Sequence, residues 1–293
     1  MAVAEPPIPA ARARPGAVAL RRLLTNPLGA FGLVAVVLIV ASALLAPWLA
    51  PYDPTRIMAG PRLAAPSAEH WLGTDQLGRD LLSRVLLGGR IALQVALASI
   101  AAALTLGLAL GLLAGFGPRW LDNLIMLIFD TVRSFPVVIF GLAAVTVIGP
   151  SLGTIILIVV ITSIPTFGRV ARTQTLAIRN NEFILAERAM GASTARILGV
   201  HILPNILGPL LILASMDIPV VITIEAGLSF LGVGVPPPAP SWGSILSDGF
   251  SYIRNTPWPV IAGGIPLILT TLAFTFLGEA LRDIFDPKLR RDV

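Results

Sequence analysis

The chain alternates long apolar runs with shorter polar segments, and the apolar runs have the length needed to cross a lipid bilayer. A helix of about 20 predominantly apolar residues spans the hydrocarbon core. Six runs approach or exceed that length, so the sequence predicts an all-α integral membrane protein with six transmembrane helices. The predicted spans are residues 28–49, 91–116, 124–148, 152–167, 206–231 and 258–281.

The composition indicates the same class of protein. Hydrophobic residues make up 55% of the 293 positions and charged residues 13%, with a mean hydropathy of +0.85. Such a chain cannot form a water-soluble globule with a polar surface. It has no cysteine, which excludes a disulfide framework and a thiolate metal site. The net charge of +5 does not indicate nucleic acid, because the basic residues flank the apolar runs beside membrane lipid.

The distribution of Lys and Arg predicts the orientation. With the N-terminus in the cytoplasm, fourteen basic residues lie inside and six lie outside, with one more within a span. An even number of spans then places both termini in the cytoplasm. The predicted organisation is a cytoplasmic tail at 1–27, whose first 15 residues are disordered, and a six-helix membrane domain at 28–293. The domain includes an outer segment at 50–90, a cytoplasmic loop at 168–205 and an outer loop at 232–257.

The outer segment is rich in proline and then changes to a helical pattern. Thr74 is predicted to cap a helix that lies along the outer membrane face, with Asp75 in its first turn and Asp80 paired with Arg84 at i,i+4. These roles explain the acids better than a metal site with His70 does, and no metal site is predicted. In the outer loop, Trp242 and Trp258 are predicted to anchor the chain at the membrane interface.

Three glycines form a smooth stripe on the second predicted span. Gly107, Gly111 and Gly115 recur at four-residue spacing, which allows another helix to approach closely. The stripe predicts helix packing. The partner helix is either in this chain or in another one.

Ionisable residues within the predicted spans are costly and therefore suggest function. Asp130 and Arg133, at i,i+3, are predicted to form an ion pair near the inner mouth, with a kink at Pro136. The alternative is that they contact substrate. Glu225 either gates or braces the pore wall or meets a positive charge on the substrate, and Asp217 is a second candidate for that contact. The residues predicted to line the translocation pathway are Asp130, Arg133, Asp217 and Glu225, and Glu279 lies near the inner end of the last span.

A polar segment between the fourth and fifth predicted spans has the pattern of a docking surface. Residues 182–190 repeat apolar and small side chains at helical spacing. Gly191 ends this helix, Ser193 is predicted to cap a second short helix, and Pro204 opens the next span. The alternative is an interfacial amphipathic helix without a partner.

This order of helix, glycine, short helix and Leu-Pro resembles the EAA loop of ABC-importer permeases, the cytoplasmic elbow that seats on a separate ATPase. The family signature begins Glu-Ala-Ala, whereas this chain has Leu185, Ala186 and Glu187 at that position. Either Glu182 or Glu187 supplies the displaced acid. The resemblance implies that residues 168–205 of the permease domain form a coupling loop. It implies these coupling residues: Glu182, Ala186, Glu187, Ala189, Gly191, Ala192, Arg196, Leu203 and Pro204.

Three further segments resemble the C subunits of dipeptide and oligopeptide permeases. They are HWLGTDQLGRDLLSRVLLGGRIAL, IEAGLSFLGVGVPPPAPSWGSIL and EALRDIFDPKLR. The resemblance implies the ABC type I importer architecture in a bacterial inner membrane. It also implies a heterodimer with a related B subunit, one or two ATP-binding subunits, and an extracytoplasmic peptide-binding protein.

The chain has no GxxxxGK[ST] phosphate-binding motif and no catalytic constellation. It is therefore predicted to be non-catalytic and to bind no cofactor, with ATP and Mg on the partner subunits. One alternative is an ion-coupled secondary transporter or channel, with Asp130, Asp217 and Glu225 as the relay. Others are a purely structural membrane subunit, and the same ABC role with nickel or glutathione as substrate.

Overall fold

The computed structural model of the protein describes residues 21–285, and it is helical apart from its connecting segments. The predicted disordered tail and the basic residues Lys288, Arg290 and Arg291 lie outside the described residues. After a helical turn at 21–25, the helices are α1 Pro27–Leu44, α2 Ala46–Leu49, α3 Leu81–Phe116, α4 Arg119–Ser134, α5 Val137–Ile148, α6 Leu152–Ile178, α7 Glu182–Ala189, α8 Thr194–Arg196, a π-helical segment Ile197–Ile202, α9 Leu203–Phe230, α10 Trp242–Ser251 and α11 Trp258–Phe285.

Within residues 21–285, five helical stretches are long and apolar enough to cross a membrane, and a sixth span results if α4 and α5 count as one. These two helices meet at 89°. Pro136 lacks a backbone N–H and disfavours a helical residue before it, so Phe135 is extended and the helix stops at Ser134. The predicted kink at Pro136 is confirmed, and it is sharp enough to break the third span.

Helix α3 is one rod of 36 residues. The prediction of a separate helix along the outer face was wrong, because the same helix continues into the membrane. Thr74 does not cap it; the Asp80 carboxylate accepts hydrogen bonds from the Ser83 backbone N–H at 2.8 Å and from its hydroxyl at 2.7 Å. At 1.5 Å per residue α3 is about 54 Å long, which exceeds the hydrocarbon core of about 30 Å.

The glycine stripe lies against α6. A β-carbon on Gly107 would stand 2.7 Å from that of Phe167, and one on Gly115 would stand 2.7 Å from that of Thr175. A β-carbon on Gly111 would collide with the Gly168 carbonyl oxygen. The helix that the stripe admits is therefore in this chain, which settles the question that the sequence left open.

Helix α6 extends well past the predicted end of the fourth span at residue 167. Arg169 and Arg172 lie within the helix and Arg179 directly follows it, and each guanidinium reaches an acceptor on a neighbouring helix. Arg169 pairs with Asp130 at 2.6 Å, and Arg179 donates to the Gly115 carbonyl oxygen at 2.8 Å. Arg172 binds both carboxylate oxygens of Asp122, at 2.5 and 2.6 Å.

The outer loop contains a helix, α10, that the sequence did not indicate. Trp242, at its start, is only 3% exposed and donates its indole N–H to the Val85 carbonyl oxygen at 2.9 Å. The prediction that Trp242 anchors the loop at the membrane interface was therefore wrong. Its ring packs over Gly88 and Gly89 of α3, which attaches the outer loop to that helix.

The two polar regions lie at opposite ends of the helices. Helix α7 contacts the last turn of α3, where Arg188 stacks over the Phe116 ring. The outer segment surrounds the first turn of α3. The first and last described helices meet at the α7 end, since a β-carbon on Gly29 would touch Leu23 and Ala280. Both described ends of the chain are thus on the same side as the coupling loop.

Candidate functional site

Helix α7 has one face fixed to the membrane helices and one face exposed. Ile184 is fully buried, and the Arg188 guanidinium lies 4.7 Å from the centre of the Phe116 ring. Elsewhere on the helix Phe183 is 45% exposed and Leu185 49%, and Met190, which directly follows the helix, is 75% exposed. Exposed apolar residues grouped on one short helix are typical of a protein contact surface.

The segment after α7 has the predicted order of elements. Gly191 ends the helix with a φ of +84°, a conformation that residues with a β-carbon seldom adopt. The Ser193 hydroxyl then caps α8 by accepting from the Arg196 backbone N–H at 3.3 Å. Leu203 and Pro204 begin α9, but a π-helical turn at Ile197–Ile202 precedes them, which the sequence did not reveal.

The two candidates for the displaced acid occupy different environments. Glu187 is half-buried, and its carboxylate lies 3.4 Å from the His201 ring nitrogen Nε2 in the π-helical turn. Glu182 is exposed in the first turn of α7. Ala186, Ala189 and Arg196 are also exposed, whereas Ala192 and Leu203 are half-buried. The role of these residues in coupling stays a prediction.

A cavity of about 420 Å³ lies where the α4–α5 bend faces α6 and α9. Two of the predicted pathway residues, Arg133 and Asp217, line it. The Arg133 guanidinium donates to the Thr166 hydroxyl at 3.0 Å. Phe135 at the bend is 55% exposed, so the cavity opens at the surface of the chain. The geometry brings one cation and one anion to the same opening.

The predicted ion pair between Asp130 and Arg133 is absent in the described part of the chain, and that prediction was wrong. Asp130 pairs with Arg169, and Arg133 bonds to Thr166. The spacing of three residues is repeated on α6, at 166 and 169. Each α4 side chain therefore meets a partner across the interface instead of its neighbour on the same helix.

Glu225 differs from Asp217 in its surroundings. It is fully buried, and one of its carboxylate oxygens accepts from the Ser229 hydroxyl at 2.7 Å. Its neighbour Ile224 lines the cavity, but Glu225 does not. This placement favours a structural role for Glu225 in the pore wall over a contact with substrate. Glu279 is exposed on α11, away from the cavity.

A cluster of buried charges closes the outer end. Asp75 is 2% exposed and accepts from the Leu77 and Arg79 backbone N–H groups and from Arg79 Nε at 2.5 Å. Arg79 also reaches Asp248 on α10 at 3.2 Å. Arg84 Nε lies 3.5 Å from Asp75. The cluster connects the outer segment to α3 and α10.

Two predictions for this cluster were wrong. Asp80 does not pair with Arg84; it caps α3 and binds His70 Nδ1 at 2.9 Å. Asp75 is not in the first turn of a helix, because residues 74–80 are irregular and α3 begins only at Leu81. A carboxylate in an irregular segment can accept hydrogen bonds from nearby backbone N–H groups, as Asp75 does here. The i,i+4 spacing of Asp80 and Arg84 therefore does not determine which groups pair.

The arginines of α6 were missed as structural residues. Arg169, Arg172 and Arg179 share one helical face, which was a signal of an intrahelical or interhelical role. The orientation argument used these arginines only as positive charges and did not consider such a role. Their acceptors, 39 to 64 residues distant in sequence, could not be identified from spacing.

The fold places this chain among helical, multi-pass membrane proteins. The fold is shared with the solved structure described as inward facing conformations of the MetNI methionine ABC transporter. Its native crystal form gives a TM-score of 0.58 at 21% identity, covering 70% of this chain and 98% of the other. A second form, from a selenomethionine soak, gives 0.57.

Sequence comparison identifies the family. Residues 107–291 match the family described as binding-protein-dependent transport system inner membrane component, and residues 14–66 match the N-terminal TM domain of oligopeptide transport permease C. The chain belongs to the family of binding-protein-dependent transport system inner membrane components. It is a multi-pass protein of the bacterial inner membrane, and the resemblance seen in the sequence is confirmed.

Full-length relatives agree with this assignment. The dipeptide transport system permease protein DppC of Alkalihalophilus pseudofirmus is 39% identical, over 93% of this chain and 90% of its own length. The di/tripeptide permease protein DppC of Pseudomonas aeruginosa is 40% identical, over 88% of each. The glutathione permease protein GsiD of Pectobacterium atrosepticum is 39% identical, over 92% and 90%.

Proposed function

We propose that this chain forms half of a heterodimeric pore that imports di- and oligopeptides at the expense of ATP. The proposal is supported by relatives named as dipeptide and di/tripeptide permeases that align along nearly the whole chain. Family membership favours the ATP-driven class over the ion-coupled transporter. Because GsiD is equally similar, glutathione is the second candidate substrate.

The observation that carries the coupling mechanism is the set of exposed apolar side chains on α7 and directly after it. Phe183, Leu185 and Met190 would be covered by a cleft on an ATP-binding subunit, while buried Ile184 keeps the helix attached to this chain. Movement of the ATPase then acts on α3 and α9 through the base of α7. ATP and Mg belong to the ATPase subunits in this scheme.

The orientation follows from the same proposal. Helix α7 and both described chain ends lie on the cytoplasmic side, in agreement with the excess of basic residues there. The outer segment and α10 then face the extracytoplasmic peptide-binding protein. A related B-type permease completes the pore, and one or two ATPase subunits bind below it.

The test is uptake of a radiolabelled dipeptide by proteoliposomes that contain the complete transporter and its binding protein. Uptake should require ATP inside the vesicles and persist when a protonophore collapses the proton gradient. A matched preparation with an ATPase subunit that cannot hydrolyse ATP is the control. Uptake that stops with the protonophore and continues without ATP would establish the ion-coupled alternative.

Labelled glutathione, tested in the same vesicles, decides between the two substrate classes. Saturable ATP-dependent uptake of dipeptide, inhibited weakly or not at all by glutathione, supports the peptide assignment. The reverse pattern supports glutathione.

A further inference from the structure

The cavity at the α4–α5 bend lies close to the middle of the membrane helices. Asp217 is near the centre of α9, which runs from Leu203 to Phe230, and Thr166 is near the centre of α6. A charge at this depth is expensive unless it faces a water-filled cavity or a partner of opposite charge. Both Asp217 and Arg133 face the same cavity. The free energy of placing these charges at this depth is acceptable only if the cavity holds water or a polar ligand.

The two charges are held in different ways. Arg133 is fixed by its hydrogen bond to Thr166, and one turn earlier Asp130 is fixed by its ion pair with Arg169. These two contacts set the position of the guanidinium at the bend. Asp217, by contrast, forms neither a hydrogen bond nor an ion pair with any residue between 21 and 285. Its carboxylate thus remains available to a cationic group.

The remaining lining is apolar or weakly polar. Phe135, Val137, Val220 and Ile224 contribute apolar surface, and Thr162 and Ser163 contribute hydroxyl groups. A volume of about 420 Å³ is within the range of roughly 300–1,000 Å³ that holds small ligands. An extended dipeptide is about 7 Å long, since each residue adds about 3.5 Å. The cavity therefore has room for a small peptide with one charge at each end.

We propose that Arg133 and Asp217 form a dipolar subsite in the translocation pathway that holds a zwitterionic peptide by its two ends. Arg133 binds the terminal carboxylate, for which a planar guanidinium provides two parallel donors. Asp217 binds the terminal ammonium group. This inference rests on the proposed peptide-import function and deepens it. It also assigns different roles to the two acids of α9, because Asp217 lines the cavity whereas buried Glu225 does not.

The test compares Asp217→Asn and Arg133→Gln in the complete transporter with its unchanged binding protein. The substrates are one dipeptide in free, N-acetylated and C-amidated forms, each first confirmed by titration to bind the binding protein. For every substrate, uptake by the variant is divided by uptake by the wild type. The selectivity of the binding protein cancels in that ratio. Glu279→Gln is the matched control, since it removes another acid from a membrane helix outside the cavity.

Asp217→Asn should lower uptake of the free dipeptide by about tenfold to a hundredfold, the usual effect of losing a hydrogen bond to a charged group. It should lower uptake of the N-acetylated form less than threefold. Arg133→Gln should lower uptake of the free and N-acetylated dipeptides to a similar extent, because both keep the terminal carboxylate. It should lower uptake of the C-amidated form less than threefold. Glu279→Gln should leave all three ratios close to one. Equal losses for free and capped substrates would overturn the subsite, as would no loss in either variant.

A second measurement keeps the inference testable if the binding protein rejects the capped forms. Labelled dipeptide is titrated into the purified complex without the binding protein, and Asp217→Asn should weaken this binding at least tenfold. Loss of complex assembly in Asp217→Asn would instead show that Asp217 pairs with the partner permease, which also overturns the subsite. If the wild-type complex imports no peptide, the proposed function fails; if it imports peptide and the variant ratios are equal, only the subsite fails.

Discussion

At the scale of single residues, Glu225 is the clearest case of an acid whose burial decides its role. It is fully buried, and it accepts a hydrogen bond from Ser229. Glu225→Gln should retain assembly and most transport, because the amide oxygen can accept the same bond. Glu225→Ala leaves the Ser229 hydroxyl without its acceptor and should cost about 1–3 kcal/mol of stability. Thermal unfolding of the purified complex measures the difference.

Uptake assays on both Glu225 variants separate the brace from a substrate contact. With a free and an N-acetylated dipeptide, a brace predicts equal fractional losses for the two. A selective loss for the free peptide would contradict it.

The outer cluster allows a matched comparison of two carboxylates that share a partner. Asp75 is buried between Arg79 and Arg84, whereas the Asp248 side chain is 35% exposed and pairs with Arg79 at 3.2 Å. Asp75→Asn leaves two buried guanidinium groups poorly compensated and should cost about 3–5 kcal/mol. Asp248→Asn should cost no more than about 1 kcal/mol, as exposed pairs do. Similar unfolding temperatures for the two variants would show that the cluster does not depend on Asp75.

At the scale of elements, the contact between α3 and α6 depends on the absence of a side chain at Gly111. A β-carbon there would stand 2.6 Å from that of Ala171 and collide with the Gly168 carbonyl oxygen. Gly111→Ala should cost about 1–3 kcal/mol or more, because two backbones would have to separate. Gly227→Ala is the control, since nothing lies within 4 Å of the added carbon. The yield of folded protein and its unfolding temperature test this, and equal values would refute the packing role.

The coupling loop depends on the turn at Gly191. Its φ is +84° and the space around it is open, so Gly191→Trp strains the backbone and obstructs the surface beside α7 without disturbing the membrane helices. We expect normal insertion, with ATP hydrolysis uncoupled from transport. Gly232→Trp imposes a similar strain, at a φ of +80°, at the opposite end of the molecule. Peptide transported per ATP hydrolysed should fall in the first variant and not in the second.

At the scale of the whole molecule, the open surfaces predict that the chain does not act alone. Because α6 fills the glycine stripe, that stripe gives no reason for a partner. The exposed face of α7 and the cavity that opens at the surface do give one. Purification in mild detergent should recover this chain with a second permease and ATPase subunits. A monodisperse monomer that transports peptide would contradict the prediction.

The sequence predicted the membrane helices because a bilayer sets their length independently of tertiary contacts. It also predicted the coupling loop, since Gly191, Ser193 and Pro204 are local signals. It did not predict that α6 continues past residue 167, because the acceptors for Arg169 and Arg172 come from a different helix. The domain boundary at residues 27 and 28 stays a prediction.

The ion pairs show why part of the candidate site was not predictable. Spacing along one helix made Asp130 and Arg133 look like partners, but a neighbouring helix with the same spacing offered better ones. Asp75 likewise satisfies backbone groups of an irregular segment. Sequence periodicity describes one helix at a time, and these contacts belong to pairs of elements.

The continuity of α3 has a mechanical consequence. Its first turns are joined to the outer segment by the Asp80–His70 contact and to α10 by Trp242, and its last turn lies under Arg188 of α7. Over about 54 Å of unbroken helix, a tilt of about 5° moves the far end by about 5 Å. A small rotation of α3 imposed at α7 therefore moves the end of α3 beside the outer segment by more than the length of a hydrogen bond. If α7 docks on an ATP-binding subunit as proposed, the same helix is long enough to transmit that movement to the opposite end of the molecule.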